Sequence, residues 1–226
     1  MSLTRLAGRM WLFPHDPDPS RVQPCSGVID LGDRSVLVDA GNGPRHAREM
    51  RAAVAEAGLP EVDTIVYTHH HWDHVWGACA WDADHIAGHA AGAPMVAEDA
   101  ARPWSTAYAE KVVRDNPRLS ASFSGRALAV PDWSELEVRP PTLTFDDELE
   151  LAEGLVVRHV GGGHAPDSSI VIDLESGVAL LGDCFYPPPL HLREPDDGPD
   201  EAMLAGLKRL PVDWLVEAHG EPWRRS

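Results

Sequence analysis

Residues 67–74 read Tyr67-Thr68-His69-His70-His71-Trp72-Asp73-His74, four imidazoles and one carboxylate within six consecutive positions. Both groups are ligands for first-row metals, and so dense a cluster is costly to hold together without a cation. Written as H-x-H-x-D-H, the run presents His69, His71, Asp73 and His74. Histidines two apart leave an extended chain on one side, so His69 and His71 can share one ion. Asp73 and His74 then turn toward a neighbouring point as the chain leaves its strand. One run cannot close a metal shell, and three further candidates lie downstream. His164 follows Gly161-Gly162-Gly163, Asp183 follows Leu180-Leu181-Gly182, and His219 precedes Gly220. Each comes after an apolar run: Val156 to Val160, Val178 to Leu181, and Trp214 to Val216. Strand ends that open into loops let a rigid scaffold present ligands to one shared cleft.

With these residues in view, the chain resembles the metallo-β-lactamase superfamily from about Cys25 to His219, with weaker cover between Ala97 and Pro141. The resemblance implies an α+β fold, a four-layer αββα sandwich of two mixed sheets flanked by helices. It also implies a dinuclear site in which His69, His71 and His164 hold one metal and Asp73, His74 and His219 the second, with Asp183 bridging. No position of that set is missing or replaced. Zinc, two ions per chain, is the implied cofactor, with iron or manganese as substitutes. Two cations roughly 3.5–4 Å apart lower the pKa of a bound water toward about 7 and polarise a carbonyl or phosphoryl oxygen. The expected reaction is therefore hydrolysis of a small acyl substrate (ester, lactone, thioester or amide) by a metal-bound hydroxide. Asp73 would accept a hydrogen bond from that hydroxide, which makes Asp73 and Asp183 the expected catalytic pair.

Two other readings stay open. One is an iron-dependent sulfur dioxygenase on the same fold, with iron at His69, His71 and His164. The other is a metal-stabilised binding protein without turnover, which the seven-ligand set disfavours because a structural site usually closes with four. Glutathione thioesterases of the superfamily add a C-terminal helical segment with basic contacts. Here Glu221 to Ser226 alone follow Gly220, which steers expectation away from them.

The elements that must position these residues can be read from pattern. Arg9 to Phe13, Ser26 to Leu31 and Ser35 to Asp39 read as strands, with Gly32-Asp33 turning between the last two. Pro44 opens a helix over Arg45 to Ala57, whose Ala47, Met50, Val54 and Ala57 share a face, and Gly58 ends it. Val62 to Tyr67 is a buried strand that delivers the histidine run. Val75 to Ala80 begins a helix, Ile86 centres a short strand, and Arg102 to Val113 is helical. Asn116 to Pro141 shows no steady period and carries four prolines, so it reads as irregular. Short strands return at Leu143–Phe145, Glu148–Leu151, Leu155–Val160, Ser169–Leu174 and Val178–Leu181. A helix over Asp200 to Leu210 and a last strand over Trp214 to Ala218 complete the pattern. The whole reads as one domain, 1–226, with a lid or insertion at about 102–141. Phe123, Leu128 and Trp133 are the expected cover for an apolar acyl group.

Composition sets the outer limits. The chain has 226 residues, 43% hydrophobic and 24% charged, within the range of globular proteins. A net charge of −17 argues against nucleic acid as a partner, since phosphate contact needs clustered Lys and Arg. Met1 to Phe13 is broken by Arg5 and Arg9, unlike a signal peptide, and no segment has the length of a membrane span. Three widely spaced cysteines, Cys25, Cys79 and Cys184, point to a reduced, cytoplasmic protein. The expected partner is a small-molecule substrate, with oligomeric state left open.

Several residues near the motifs carry two readings each. Asp39, in Val38-Asp39-Ala40-Gly41, is either a turn cap or, by the resemblance, a carboxylate that orients a ligand histidine. Trp72 and Trp76 either line the cleft or belong to the core. His70 alternates away from its neighbours and reads as packing or support. Tyr186, His191 and Arg193 lie in the loop after Asp183 as candidate substrate contacts. Cys184 is turned away by alternation and reads as buried.

Overall fold

The computed structural model describes residues 2–225, so Met1 and Ser226, the ends of the expected domain, lie outside the described residues. The first sheet holds β1 (Thr4–Ala7), β2 (Met10–Phe13), β3 (Ser26–Asp30), β4 (Ser35–Val38), β5 (Val62–Val66), β6 (His85–His89) and β7 (Leu143–Phe145), side by side in that order. Its first four strands pair antiparallel, and the pairs from β4 to β7 are parallel. Parallel neighbours need a crossover connection. Helix α1 (Pro44–Glu56) supplies it between β4 and β5, and the short α2 (Trp72–Val75) lies between β5 and β6. The second sheet runs from β8 (Glu148–Ala152) through β9 (Leu155–His159), β10 (Ser169–Asp173), β11 (Val178–Gly182) and β12 (Trp214–Glu217) to β13 (Trp223–Arg224). Only its β11–β12 pair is parallel.

Strand alternation sorts the apolar residues into three cores. Met10, Ile29, Val36 and Val66 from the first sheet meet Val157, Val171, Leu180 and Val216 from the second. The opposite face of the first sheet, with Val28, Leu37 and Ile65, packs on Ala47, Met50 and Val54 of α1 and on Trp76. The outer face of the second, with Ile170, Leu181 and Leu215, packs on Leu207 of α6 (Glu201–Leu207). Helix, sheet, sheet and helix are therefore four layers held by three apolar seams. The Asp200 carboxylate caps α6 by accepting from the Met203 N–H at 2.8 Å, which sets its start one residue later than expected.

Between β6 and its neighbour β7 the chain makes a long excursion through α3 (Ala93–Ala100), α4 (Thr106–Asp115) and α5 (Ser120–Ala129). Helix α5 corrects the expectation that Asn116 to Pro141 is irregular. Its sequence, Ser-Ala-Ser-Phe-Ser-Gly-Arg-Ala-Leu-Ala, mixes five good helix formers with three serines and a glycine and is short, and tertiary contacts hold it in place. Phe123, Gly125 and Ala129 are buried beneath it, and Gly125 sits against Val22 and Trp72. Helix α3 and strands β1 and β13 are further elements that the pattern did not announce. Among the described residues no helix is long and apolar enough to cross a membrane, and all three cysteines are free.

At one end of the molecule the backbone comes unusually close to itself. A Cβ added to Gly77 would lie 2.0 Å from the Ala40 carbonyl oxygen, so only glycine lets the turn after α2 close on the loop after β4. That approach carries the bonds Ala40 N–His74 O (2.7 Å) and Gly77 N–Gly41 O (2.9 Å).

Candidate metal centre

The strands β4, β5, β9, β11 and β12 all point their C-terminal ends at this same edge. The loops that leave them carry Asp39, the 67–74 run, His164, Asp183 and His219. The two sheets are tied together there: the Ser169 N–H donates to the Thr68 carbonyl at 2.8 Å, and the Cys25 N–H to the Ala218 carbonyl at 2.6 Å. Gly182 turns the end of β11 at φ +54° directly against the Thr68 side chain, which a Cβ would strike at 2.7 Å. This contact sets Asp183 beside the histidine run.

The seven residues gather into two groups: His69, His71 and His164 form one, and Asp73, His74, Asp183 and His219 the other, with the ligand atoms of each group within 4.8 Å of one another. In the first, His71 Nδ1 lies 2.9 Å from both His69 Nε2 and His164 Nε2. At most one of these contacts can be a hydrogen bond, because His71 Nδ1 carries no more than one proton. His164 Nδ1 donates to the Pro187 carbonyl at 2.9 Å, which leaves Nε2 with a bare lone pair. His69 Nδ1 donates to Thr68 Oγ1 at 3.1 Å, whose own proton goes to Asp39 Oδ2 at 2.9 Å, so Nε2 of His69 is bare too. Lone pairs facing inward repel, and a cation at their centre removes the repulsion. Burial, and then the neighbouring imidazoles, hold His69 and His71 well below the usual histidine pKa, the neutral state in which imidazole binds metal.

The second group has the complementary character. His74 is fully buried, its Nδ1 donates to Asp39 Oδ2 at 2.8 Å, and its Nε2 makes no hydrogen bond. That nitrogen instead faces Asp73 Oδ2 at 3.3 Å and Asp183 Oδ2 at 3.6 Å, while His219 Nε2 stands 3.2 Å from Asp73 Oδ2. Burial alone would lower the His74 pKa, but Asp39, Asp73 and Asp183 outweigh it and hold it well above its ordinary value. Asp183 is driven the other way, to about 2: its own burial is overcome by His219, His74 and His164. Here positive charge is wanted between two carboxylates, which is the chemistry of a divalent cation site. Asp183 Oδ2 also approaches His164 Nε2 at 3.3 Å, so a single oxygen touches both groups, while Oδ1 is buried without a partner.

Asp39 links both groups from behind. It sits at φ +62°, a left-handed conformation that Asp tolerates better than most residues, and is 2% exposed. Its carboxylate accepts from the Thr68 N–H (2.9 Å), the Thr68 hydroxyl and His74 Nδ1, and so directs one histidine in each group. Of its two sequence readings, the geometry is that of the orienting carboxylate.

Both groups open into one cavity of about 400 Å³. Trp72 lines it, whereas Trp76 is buried in the core with its indole N–H on Asp99 Oδ2 at 2.7 Å. His70 points aside and pairs with Asp167 at 2.7 Å. His191 reaches the cavity wall. The Tyr186 hydroxyl accepts from the His219 N–H at 3.4 Å, and Arg193 braces its own loop through the Pro188 carbonyl at 3.1 Å. The three residues expected to cover an apolar acyl group do not line the cavity. Phe123 is buried behind α5, Trp133 stacks on Trp104 with centroids 5.7 Å apart, and Leu128 is half exposed on another face. The cavity side of α5 and the turn before it instead presents Arg118, Ser122 and Arg126. Nothing in the sequence pattern singled these out, because their placement depends on a helix that only tertiary packing forms.

The sequence matches the family model of the metallo-beta-lactamase superfamily over residues 20–222. Solved structures share the fold. A metallo-beta-lactamase from Hirschia baltica is 18% identical, with 99% of this chain and 92% of that one covered, at a TM-score of 0.66. One from Pseudomonas aeruginosa, in its mono-zinc form, is 16% identical with 99% and 89% covered, at a TM-score of 0.65. A metallo-beta-lactamase family protein from Thermus thermophilus is 24% identical with 96% and 75% covered, at a TM-score of 0.63. No curated protein matches.

Proposed function

The chain belongs to the metallo-beta-lactamase superfamily, and from that premise we propose that it is a dinuclear zinc hydrolase acting on a small acyl substrate. The observation that carries this reading is Asp183 Oδ2, one carboxylate oxygen within 3.6 Å of histidine nitrogens from both groups, at the floor of an open cavity. His69, His71 and His164 would hold one ion, and Asp73, His74 and His219 the other, with Asp183 shared. When bound, such a pair supplies water activated at neutral pH and polarises the acyl oxygen. The chain's own residues do the rest. Thr68, Asp39 and the Pro187 carbonyl keep the ring nitrogens bare and aimed. Asp73, 5% exposed, offers a carboxylate that can accept a hydrogen bond from the attacking water and hold its direction. Trp72 walls off one side of the cavity and limits competing solvent.

Elemental analysis after mild purification should find about two zinc ions per chain, since seven ligands exceed what one tetrahedral ion uses. A panel of lactones, thioesters, carboxylic esters, β-lactams, phosphodiesters and nucleic acids should then show cleavage of acyl substrates alone. The net charge of −17 repels polyanions, and no Lys/Arg cluster offsets it on that scale. A reproducible content of one ion or none, not restored by added zinc, defeats the dinuclear reading. Phosphodiester turnover without acyl cleavage overturns the substrate class, and iron with oxygen consumption on a persulfide moves the chain to the dioxygenases.

A further inference from the structure

The cavity has a second pole. In the same cavity as the carboxylates of the metal centre stand Arg118, Arg126 and His191, a cationic corner in a strongly acidic chain. Arg126 comes from α5, and its guanidinium is enclosed by three aromatic rings, with Cζ 4.7 Å from the Phe123 centroid, 5.0 Å from Trp72 and 5.4 Å from Trp76. Stacking satisfies the charge from the ring faces but leaves the N–H groups at the rim unanswered. One of the five donates to Ser122 Oγ, while Nε is fully enclosed and has no partner. Among the described residues no carboxylate pairs with Arg126. Asp99, the nearest candidate by charge, is already engaged by Arg102 at 3.0 Å and by the Trp76 indole. Enclosure lowers the pKa of Arg126 to about 10, which leaves it charged at neutral pH.

An enclosed cation without a counter-ion costs stability that a methionine or leucine in the same ring cage would not. Its neighbours add polarity rather than relieve it. Arg118 donates to the Arg193 carbonyl at 2.8 Å and likewise lacks a carboxylate partner among the described residues. Burial, then Arg126 and Arg118, lower the His191 pKa, so that side chain is neutral at pH 7 and able to donate or accept. The corner thus offers one enclosed guanidinium fork, one exposed guanidinium at the rim and one neutral imidazole. The planar fork of Arg126, with Arg118 outside it at the rim, matches the two oxygens of a carboxylate.

Resting on the hydrolase reading above, we propose that the substrate carries a free carboxylate remote from its scissile carbonyl, and that Arg126 holds this carboxylate while the metal centre takes the carbonyl. Specificity would then be set by the distance between the two poles. Arg118 would guide the anion in against the field of the acidic surface.

The full-length protein, stripped of metal by a chelator, separates this subsite from the metal centre. Phenylacetate and phenylacetamide, which share a ring and differ in charge, are titrated against tryptophan fluorescence, since Trp72 and Trp76 touch the guanidinium. The acid should bind about tenfold tighter than the amide or more, as for a charge-assisted hydrogen bond. Arg126→Gln should bring the two to within about twofold, and Arg126→Lys, which keeps the charge but not the fork, should fall between. Thermal unfolding of both variants establishes that they fold. With zinc restored, the KM of the mono-4-nitrophenyl ester of glutaric acid, relative to that of 4-nitrophenyl butyrate, should rise about tenfold or more in Arg126→Gln. Equal binding of acid and amide by the unaltered protein, or full discrimination retained by Arg126→Gln, overturns the proposal. Methyl phosphate displacing phenylacetate at lower concentration overturns the choice of carboxylate. Discrimination of acid from amide without cleavage of any ester would sink the hydrolase reading and leave the anion subsite standing.

Discussion

Asp183→Ala should reduce the metal content from about two ions to one or fewer and cut acyl hydrolysis by more than about 100-fold, with the fold intact. Loss of a residue that merely supports a ligand costs about 10–100-fold in metal affinity or activity, and Asp183 stands closer to the chemistry than that. Its Oδ2 lies 3.3 Å from His164 and 3.6 Å from both His74 and His219, so removing it strips an anionic donor from both groups at once. What remains of the first group is three imidazoles with no anionic donor. The strand that delivers Asp183 is held by Val178, Leu180 and Leu181 in two apolar cores, so truncating the carboxylate leaves β11 in place. Circular dichroism, elemental analysis and initial rates on one preparation decide the matter. Undiminished turnover with one ion per chain would mean that the two groups do not work as a pair.

Asp39→Asn tests how the histidines are aimed without touching a ligand. Asparagine tolerates the same left-handed backbone at φ +62°, so the loop survives. The carboxylate, however, accepts at both oxygens: Oδ1 from the Thr68 N–H, and Oδ2 from the Thr68 hydroxyl and His74 Nδ1. An amide has one acceptor atom and must turn its NH₂ toward one of these donors. Either the Thr68 backbone loses its partner, or His74 moves its proton to Nε2 and no longer presents a lone pair. We expect zinc affinity at the second group to fall by about 10–100-fold, with a smaller loss at the first through Thr68 and His69. Competition with a chromogenic chelator measures the affinity, and nitrogen NMR of the imidazoles reports the tautomer. Unaltered affinity and tautomer together would reduce Asp39 to a turn residue.

Much of this was legible in the amino-acid sequence because the signals were local. His69 and His71 do lie together, although β5 ends at Val66 and both sit in the loop beyond it rather than on an extended strand. Glycines beside His164, Asp183 and His219 marked the strand ends. The elements that escaped are those whose order comes from remote contacts. Helix α5 is short, carries a glycine and three serines, and holds its shape through Phe123, Gly125 and Ala129 packed beneath it. A lone arginine in such a stretch looks like any surface cation. What distinguishes Arg126 is the ring cage built from Trp72, Trp76 and Phe123, separated from it by up to 54 positions. The same blindness misplaced the apolar residues expected to cover the cavity, since composition showed them in the segment and not which way the helix would turn them.

Each ligand group draws from both sheets. His69 and His71 leave the first sheet and His164 the second, while Asp73 and His74 leave the first and Asp183 and His219 the second. Neither half of the chain owns a complete set, so the order of events in assembly is constrained. Ions have nowhere to bind tightly until the halves have met, and they therefore arrive as a clasp rather than as a template. Such a clasp acts on the finished molecule: it retards the parting of the two sheets while leaving the rate at which they find each other largely alone. The three apolar seams would then keep the protein folded without metal, and the surrounding metal would lengthen the life of that fold.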